Sequence, residues 1–172
     1  MRDEVAAEPG QDLLPGYEAW LERLTATYNA VAYCCFYRLR DRQAAEGVSA
    51  EVVAEMLARP RVFGYYGLPF SGQIGRLAEP RITRARQGTP VVAGNSGWEK
   101  LLSQLRGVPR VHQTVFLLTC IQGCSDGEIA AELGCDEGTA KLRLERTLDL
   151  MREVSESVVT PESREDIEEG AH

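Results

Sequence analysis

Two helix starts and one helix stop follow in close succession between Ser125 and Met151, and few folds accept that punctuation. Ser125 or Asp126 supplies the first cap, after which the apolar residues Ile129, Ala130 and Leu133 share one helical face. Gly134 stands where a helix closes in the left-handed conformation, which costs glycine nothing. Asp136 is a second cap. Beyond it Ala140, Leu144, Thr147, Leu148 and Met151 recur at helical spacing, which predicts one buried stripe on a helix running to about Val154. The opposite face carries Glu137, Lys141, Leu142, Arg143 and Arg146. Two helices joined by a short turn containing glycine, the second with a polar and basic outer face, form a helix-turn-helix. That geometry lays a recognition helix into a DNA major groove.

A wider pattern surrounds this motif: Val108-Pro109-Arg110, Val115-Phe116-Leu117-Leu118, Gly123-Cys124-Ser125, Glu128-Ile129-Ala130, Leu133-Gly134, Glu137-Gly138-Thr139-Ala140-Lys141, Arg143-Leu144 and Arg146. Over about residues 97–154 it resembles region four of bacterial sigma factors, in their extracytoplasmic-function branch. The resemblance implies an all-α, four-helix domain that binds double-stranded promoter DNA and touches RNA polymerase core. Carried over position by position, it makes Glu137, Thr139, Lys141, Leu142, Arg143 and Arg146 the groove-facing set and puts Ser125 near a phosphate. The chemistry suits part of that set, since lysine and arginine donate to phosphates and guanine edges, and helix amino ends hold anions. Between Asp136 and Arg152 four bases meet four acids, so the helix brings no net positive charge to a polyanion. Leu142, off the buried stripe, can touch a thymine methyl or a protein. A reading in which the motif binds only a protein (polymerase, a sigma factor or an anti-sigma partner) therefore stays open.

The net charge of −7 argues against nucleic acid until it is divided along the chain. Glu153 to Glu169 holds seven acids and only Arg164, so nearly all the acidity belongs to the carboxyl end. Few large apolar residues and Pro161 predict an acidic disordered tail over 155–172 and likewise a disordered start over 1–12. The longest apolar run, Val115 to Ile121, is too short for a bilayer, and MRDEVAAEPG lacks the basic start and apolar core of a secretion signal. A cytoplasmic protein without membrane contact is expected, and its five cysteines are expected to be reduced. His112, Cys120, Cys124 and Cys135 are zinc-type ligands at poor spacing, and Cys124 and Cys135 fall at packing positions. No metal or cofactor is implied. With only His112 and His172, no phosphate-binding glycine loop and no carboxylate pair beside a nucleophile, no enzyme is indicated, and His112 reads as a helix-face residue.

In the amino-terminal half, Tyr17, Trp20, Leu21, Leu24, Tyr28, Val31, Cys35 and Leu39 recur at three- and four-residue intervals, predicting one helix over 13–43. A second is predicted from a Ser49 cap to Arg59, stopped before Pro60. Tyr17-Glu18, Tyr37-Arg38-Leu39, Asp41-Arg42 and Ala45-Glu46 weakly resemble the start of sigma region two, so 13–86 is expected to be a divergent region-two-like domain. Arg59 to Arg86 then combines six arginines and one acid with four aromatics. Arg59, Arg61, Tyr65, Tyr66, Arg76, Arg81, Arg84 and Arg86 are a candidate surface for single-stranded nucleic acid or a partner, because bases stack on rings while guanidinium groups hold phosphates. Packing of the aromatics into the first domain is the plainer alternative. Residues 87–97 read as a linker by their Gly, Pro, Asn and Ser content. The expected architecture is all-α, with two small helical domains.

Overall fold

The computed structural model describes residues 13–60, 72–88 and 97–157. Seven helices and no strand occur among them: α1 (Pro15–Leu39), α2 (Arg42–Ala58), α3 (Gly72–Arg86), α4 (Gly97–Arg106), α5 (Arg110–Phe116), α6 (Asp126–Leu133) and α7 (Glu137–Glu156). A π turn, Leu117–Ile121, extends α5. Its wider spacing lets Phe116 and Cys120 enter one core while Leu118 enters another.

The helix expected over 13–43 is α1, which ends at Leu39, and Arg42 and Gln43 already belong to α2. Pro15 opens α1 at a position where its missing N–H is no loss. Arg40 closes it with φ at 59°, its N–H reaching Phe36 O at 2.8 Å. A left-handed non-glycine residue costs about 1–2 kcal/mol. The cost is offset at the next residue, where the Asp41 carboxylate accepts from the N–H groups of Gln43 and Ala44 at 3.0 and 3.2 Å. Ser49 is therefore not a cap. It lies buried inside α2, and its hydroxyl donates to Tyr28 O at 2.6 Å, tying the two helices of the hairpin together.

Helix α3 was not legible in the arginine-rich stretch because Gly72, Gly75 and Pro80 mask it. Ile74, Ala78 and Ile82, four residues apart, are buried against Val31, Cys35, Ala45, Val48, Val52 and Met56. Burial of that stripe outweighs a proline in the helix interior, which costs about 3 kcal/mol.

The larger core joins the two helical sets. Tyr17, Trp20, Leu21, Leu24 and Tyr28 of α1 and Ala50, Val53, Ala54 and Leu57 of α2 pack with Trp98, Leu101, Leu105, Phe116, Met151 and Val154. Tyr28 and Trp98 stack at 4.3 Å with 6° between planes, and Trp20 meets Phe116 at 4.5 Å. Two polar ties cross the same boundary, and a third hydrogen bond fixes the amide that makes one of them. Tyr17 OH donates to Leu105 O at 2.7 Å; the fully buried Gln113 accepts from Leu14 N–H at 3.0 Å and donates to Val108 O at 2.8 Å. Burial pushes the Tyr17 phenol well above its ordinary range, so it stays a donor.

Several expected boundaries shift. Gly97 begins α4 rather than ending a linker, and Gln87 with Gly88 forms a turn on α3. Ser155 and Glu156, assigned to the tail, are the last residues of α7. Ser157 Oγ donates to Gln104 Oε1 at 2.8 Å. The expectations for 1–12, 89–96 and 158–172 lie outside the described residues.

Candidate nucleic-acid interface

The local chemistry of the motif is as its punctuation requires. Ser125 caps α6, its hydroxyl oxygen accepting from Glu128 N–H at 3.3 Å. Gly134 ends the helix at φ 66°. The N–H groups of Cys135 and Gly134 return to the carbonyls of Ala130 and Ala131 at 3.0 and 3.3 Å, which satisfies the last turn. Asp136 starts α7 by accepting from Thr139 N–H at 2.7 Å, and that hydrogen bond holds its carboxyl below the usual carboxylate range. The angle between the helices is set by a small core of Leu118, Ile129, Ala130 and Ala140, against which Cys124, Leu133 and Cys135 pack.

Helix α7 then divides by face. Ala140, Leu144, Thr147, Met151, Val154 and Ser155 are buried, while Leu148 is half-buried. Of the expected groove-facing set, Glu137, Lys141, Leu142 and Arg146 are exposed, and Thr139 and Arg143 are half-buried on the flanks. Leu142 is 47% exposed, a large apolar side chain in the middle of a display face. Ser125 is exposed at the amino end of α6, yet it has an acidic neighbour. A Cβ placed on Gly127 would stand 2.9 Å from Glu137 Oε1 and 4.0 Å from Ser125 Oγ. The Glu137 carboxylate therefore shares the amino end of α6 with Ser125, the place a phosphate would take.

Of the arginine-rich candidate surface, Arg59, Arg76, Arg81, Arg84 and Arg86 lie among the described residues. Arg59 and Arg81 both ion-pair with Glu55, the first at 2.8 Å, and Arg81 also donates to Leu77 O at 2.8 Å. The Arg81 pair joins α3 to α2, while the Arg59 pair closes the carboxyl end of α2. Arg76 and Arg84 are exposed, and Arg86 donates to Arg38 O at 3.3 Å at the far end of α1. Arg61, Tyr65 and Tyr66 lie outside the described residues. Two features escaped the sequence reading. Tyr33, Phe36 and Tyr37 form an exposed aromatic face on α1, with the Arg40 guanidinium 4.9 Å from the Tyr37 ring centre. Their helical spacing signals it only once the buried face of α1 is known. His112 packs against α7, its Nδ1 2.7 Å from Thr147 Oγ1.

Of the residues considered as zinc ligands, Cys120 is buried in the main core, Cys124 and Cys135 pack against the motif core, and His112 is bonded to Thr147. Among the described residues no three His, Cys, Asp or Glu side chains stand together as a metal site. No described helix is long and apolar enough to cross a membrane.

The fold and the display face define a helix-turn-helix protein. More particularly, residues 98–151 match the family model for sigma-70, region 4, so the carboxyl-terminal part of the chain carries a sigma-70 region 4 domain. This is a domain of transcription regulation, not of an enzyme family, and it supports a sigma-factor-like role in transcription. Neither the curated proteins nor the solved structures contain a match to the chain.

Proposed function

We propose that this protein is a sigma-factor-like regulator of transcription initiation of the extracytoplasmic-function type. In this reading it binds promoter DNA through α7 and acts with RNA polymerase core, and 13–86 serves as a divergent region-two-like module. One observation carries the proposal: within the segment that matches region 4, two capped helices meet at a left-handed glycine and display Lys141, Leu142, Arg143 and Arg146 along one edge. Phosphate contacts hold such a helix in register, and base-edge contacts read sequence. The face lacks excess positive charge, so affinity has to come from well-placed contacts or from a polymerase-bound state.

The test is selection of duplex fragments by the purified chain with and without core polymerase, followed by anisotropy titration. Arg143→Ala or Arg146→Ala is expected to weaken binding of a selected duplex by about 1–3 kcal/mol where the side chain pairs with a base edge. Absence of selected sequences under both conditions would remove the reading.

The exposure of Leu142 favours a second reading, in which the same face binds polymerase, a sigma factor or an anti-sigma partner without touching DNA. Loss of a protein complex in Leu142→Asp, with duplex binding intact, is the result that reading requires.

A further inference from the structure

His112 stands at the seam between α5 and the recognition helix. Thr147 is fully buried, and its hydroxyl donates to Arg143 O at 2.8 Å. A threonine hydroxyl has a single proton to give. With its proton on Arg143 O, Thr147 Oγ1 can accept from His112 Nδ1–H across their 2.7 Å contact. In the tautomer with the proton on Nδ1, Nε2 is the nitrogen that gains or loses one. The relay from ring to hydroxyl to carbonyl ends on Arg143, and the neighbouring Arg146 is exposed with its charge acting on the ring. One half-buried histidine therefore meets the recognition helix at Thr147, the residue that follows Arg146.

We infer that His112 positions the recognition helix through Thr147 and becomes a second anion contact beside Arg146, taking up a proton on Nε2 when a phosphate binds there. The identity of that phosphate as duplex DNA rests on the function proposed above. Without an anion, burial first and the Arg146 guanidinium second hold the imidazole below its ordinary value. The charged side chain acting from α7 is Arg146; the π turn Leu117–Ile121 contributes none, and the ring's own helix contains Arg110. A phosphate at Arg146 cancels the repulsion and gives Nε2–H an acceptor, so the bound form holds its proton more tightly than the free form. The sign follows by linkage. The extra affinity is fully present below the free-protein value and is lost as pH rises through the value in the complex.

The chain has two histidines, so His172→Gln in the full-length protein leaves His112 as the sole imidazole. Its NMR titration is followed alone, with a mixed-sequence DNA duplex at low salt, and with inorganic triphosphate; duplex affinity is measured by anisotropy between about pH 5.5 and about pH 8. The titration midpoint is expected to rise with either anion, and duplex binding to tighten toward low pH by roughly tenfold per unit of rise. His112→Asn, which keeps a donor for Thr147, is expected to match the parent at high pH and show a flat profile. A residue that only packed would give parallel profiles in the two proteins. A midpoint that stays or falls when either anion binds overturns the inference, as does a pH-independent duplex affinity in the parent. If the midpoint rises with triphosphate while no duplex binds at any pH, the DNA reading fails and the His112 anion site stands.

Discussion

Replacing Trp98 by alanine tests whether the two helical sets are one folding unit. Trp98 is 8% exposed, lies in the core shared by α1, α2, α4, α5 and α7, and stacks on Tyr28 at 4.3 Å. Truncation of a buried large aromatic removes its transfer energy and leaves a cavity, at a cost of about 3–5 kcal/mol. Within that figure, the stacked pair contributes about 0.5–1.5 kcal/mol beyond area, measurable as coupling with Tyr28→Leu in a double-mutant cycle. Because the indole touches both sets, its loss should lower the stability of the whole chain and leave the transition single. Urea unfolding followed by circular dichroism and by Trp20 fluorescence reports on both sets at once. At about 2–4 °C per kcal/mol for a chain of this size, the thermal midpoint should fall by roughly 6–20 °C. A loss below about 1 kcal/mol, or separate transitions for the two probes, would refute the shared-core argument.

Other expected outcomes follow from single contacts. Gly134→Ala meets no atom within 4 Å but forces a side chain to φ 66°; a loss of about 1–2 kcal/mol in urea unfolding is expected, and no loss would show that the turn relaxes. Asp136→Ala removes the cap of α7 and should lower the urea midpoint at neutral pH. Since the folded state depresses that carboxyl, its contribution is present above the unfolded value and disappears as pH falls through the folded one, so parent and variant should converge in acid. Gln113→Leu strands the Leu14 N–H and the Val108 carbonyl in the core and should cost about 1–3 kcal/mol. An unchanged urea midpoint would mean that water replaces the amide.

Legibility differed along the chain for physical reasons. Where a residue acts on its own neighbours, its type suffices: Ser125, Gly134 and Asp136 were readable because a cap or a left-handed turn is a local hydrogen-bond problem. Elsewhere the decision was between local options of similar energy. Asp41 rather than Ser49 caps α2 because a turn at Arg40 lets Val31 and Cys35 pack with Ala45, Val48 and Val52. Helix α3 was hidden by glycine and proline, and its stripe of Ile74, Ala78 and Ile82 acquires meaning only against α1 and α2. The same holds for charge. A count of arginines suggested a nucleic-acid surface; that Arg81 pairs with Glu55, distant from it in sequence, is visible only in the folded chain.

Taken by itself, the sequence determined an all-α chain, the helix-turn-helix with its caps and turn, the buried stripe of α7 and the polar face opposite, because helical periodicity and capping are set within a few residues. Tertiary structure alone decided that Tyr28 stacks on Trp98, that Gln113 bridges Leu14 and Val108, that Glu137 lies at the amino end of α6, and that His112 reaches Thr147 beside Arg146. Each of these joins residues from different helices. Their energies depend on distances that no local pattern encodes, and they come into being only when the helices close on a common core.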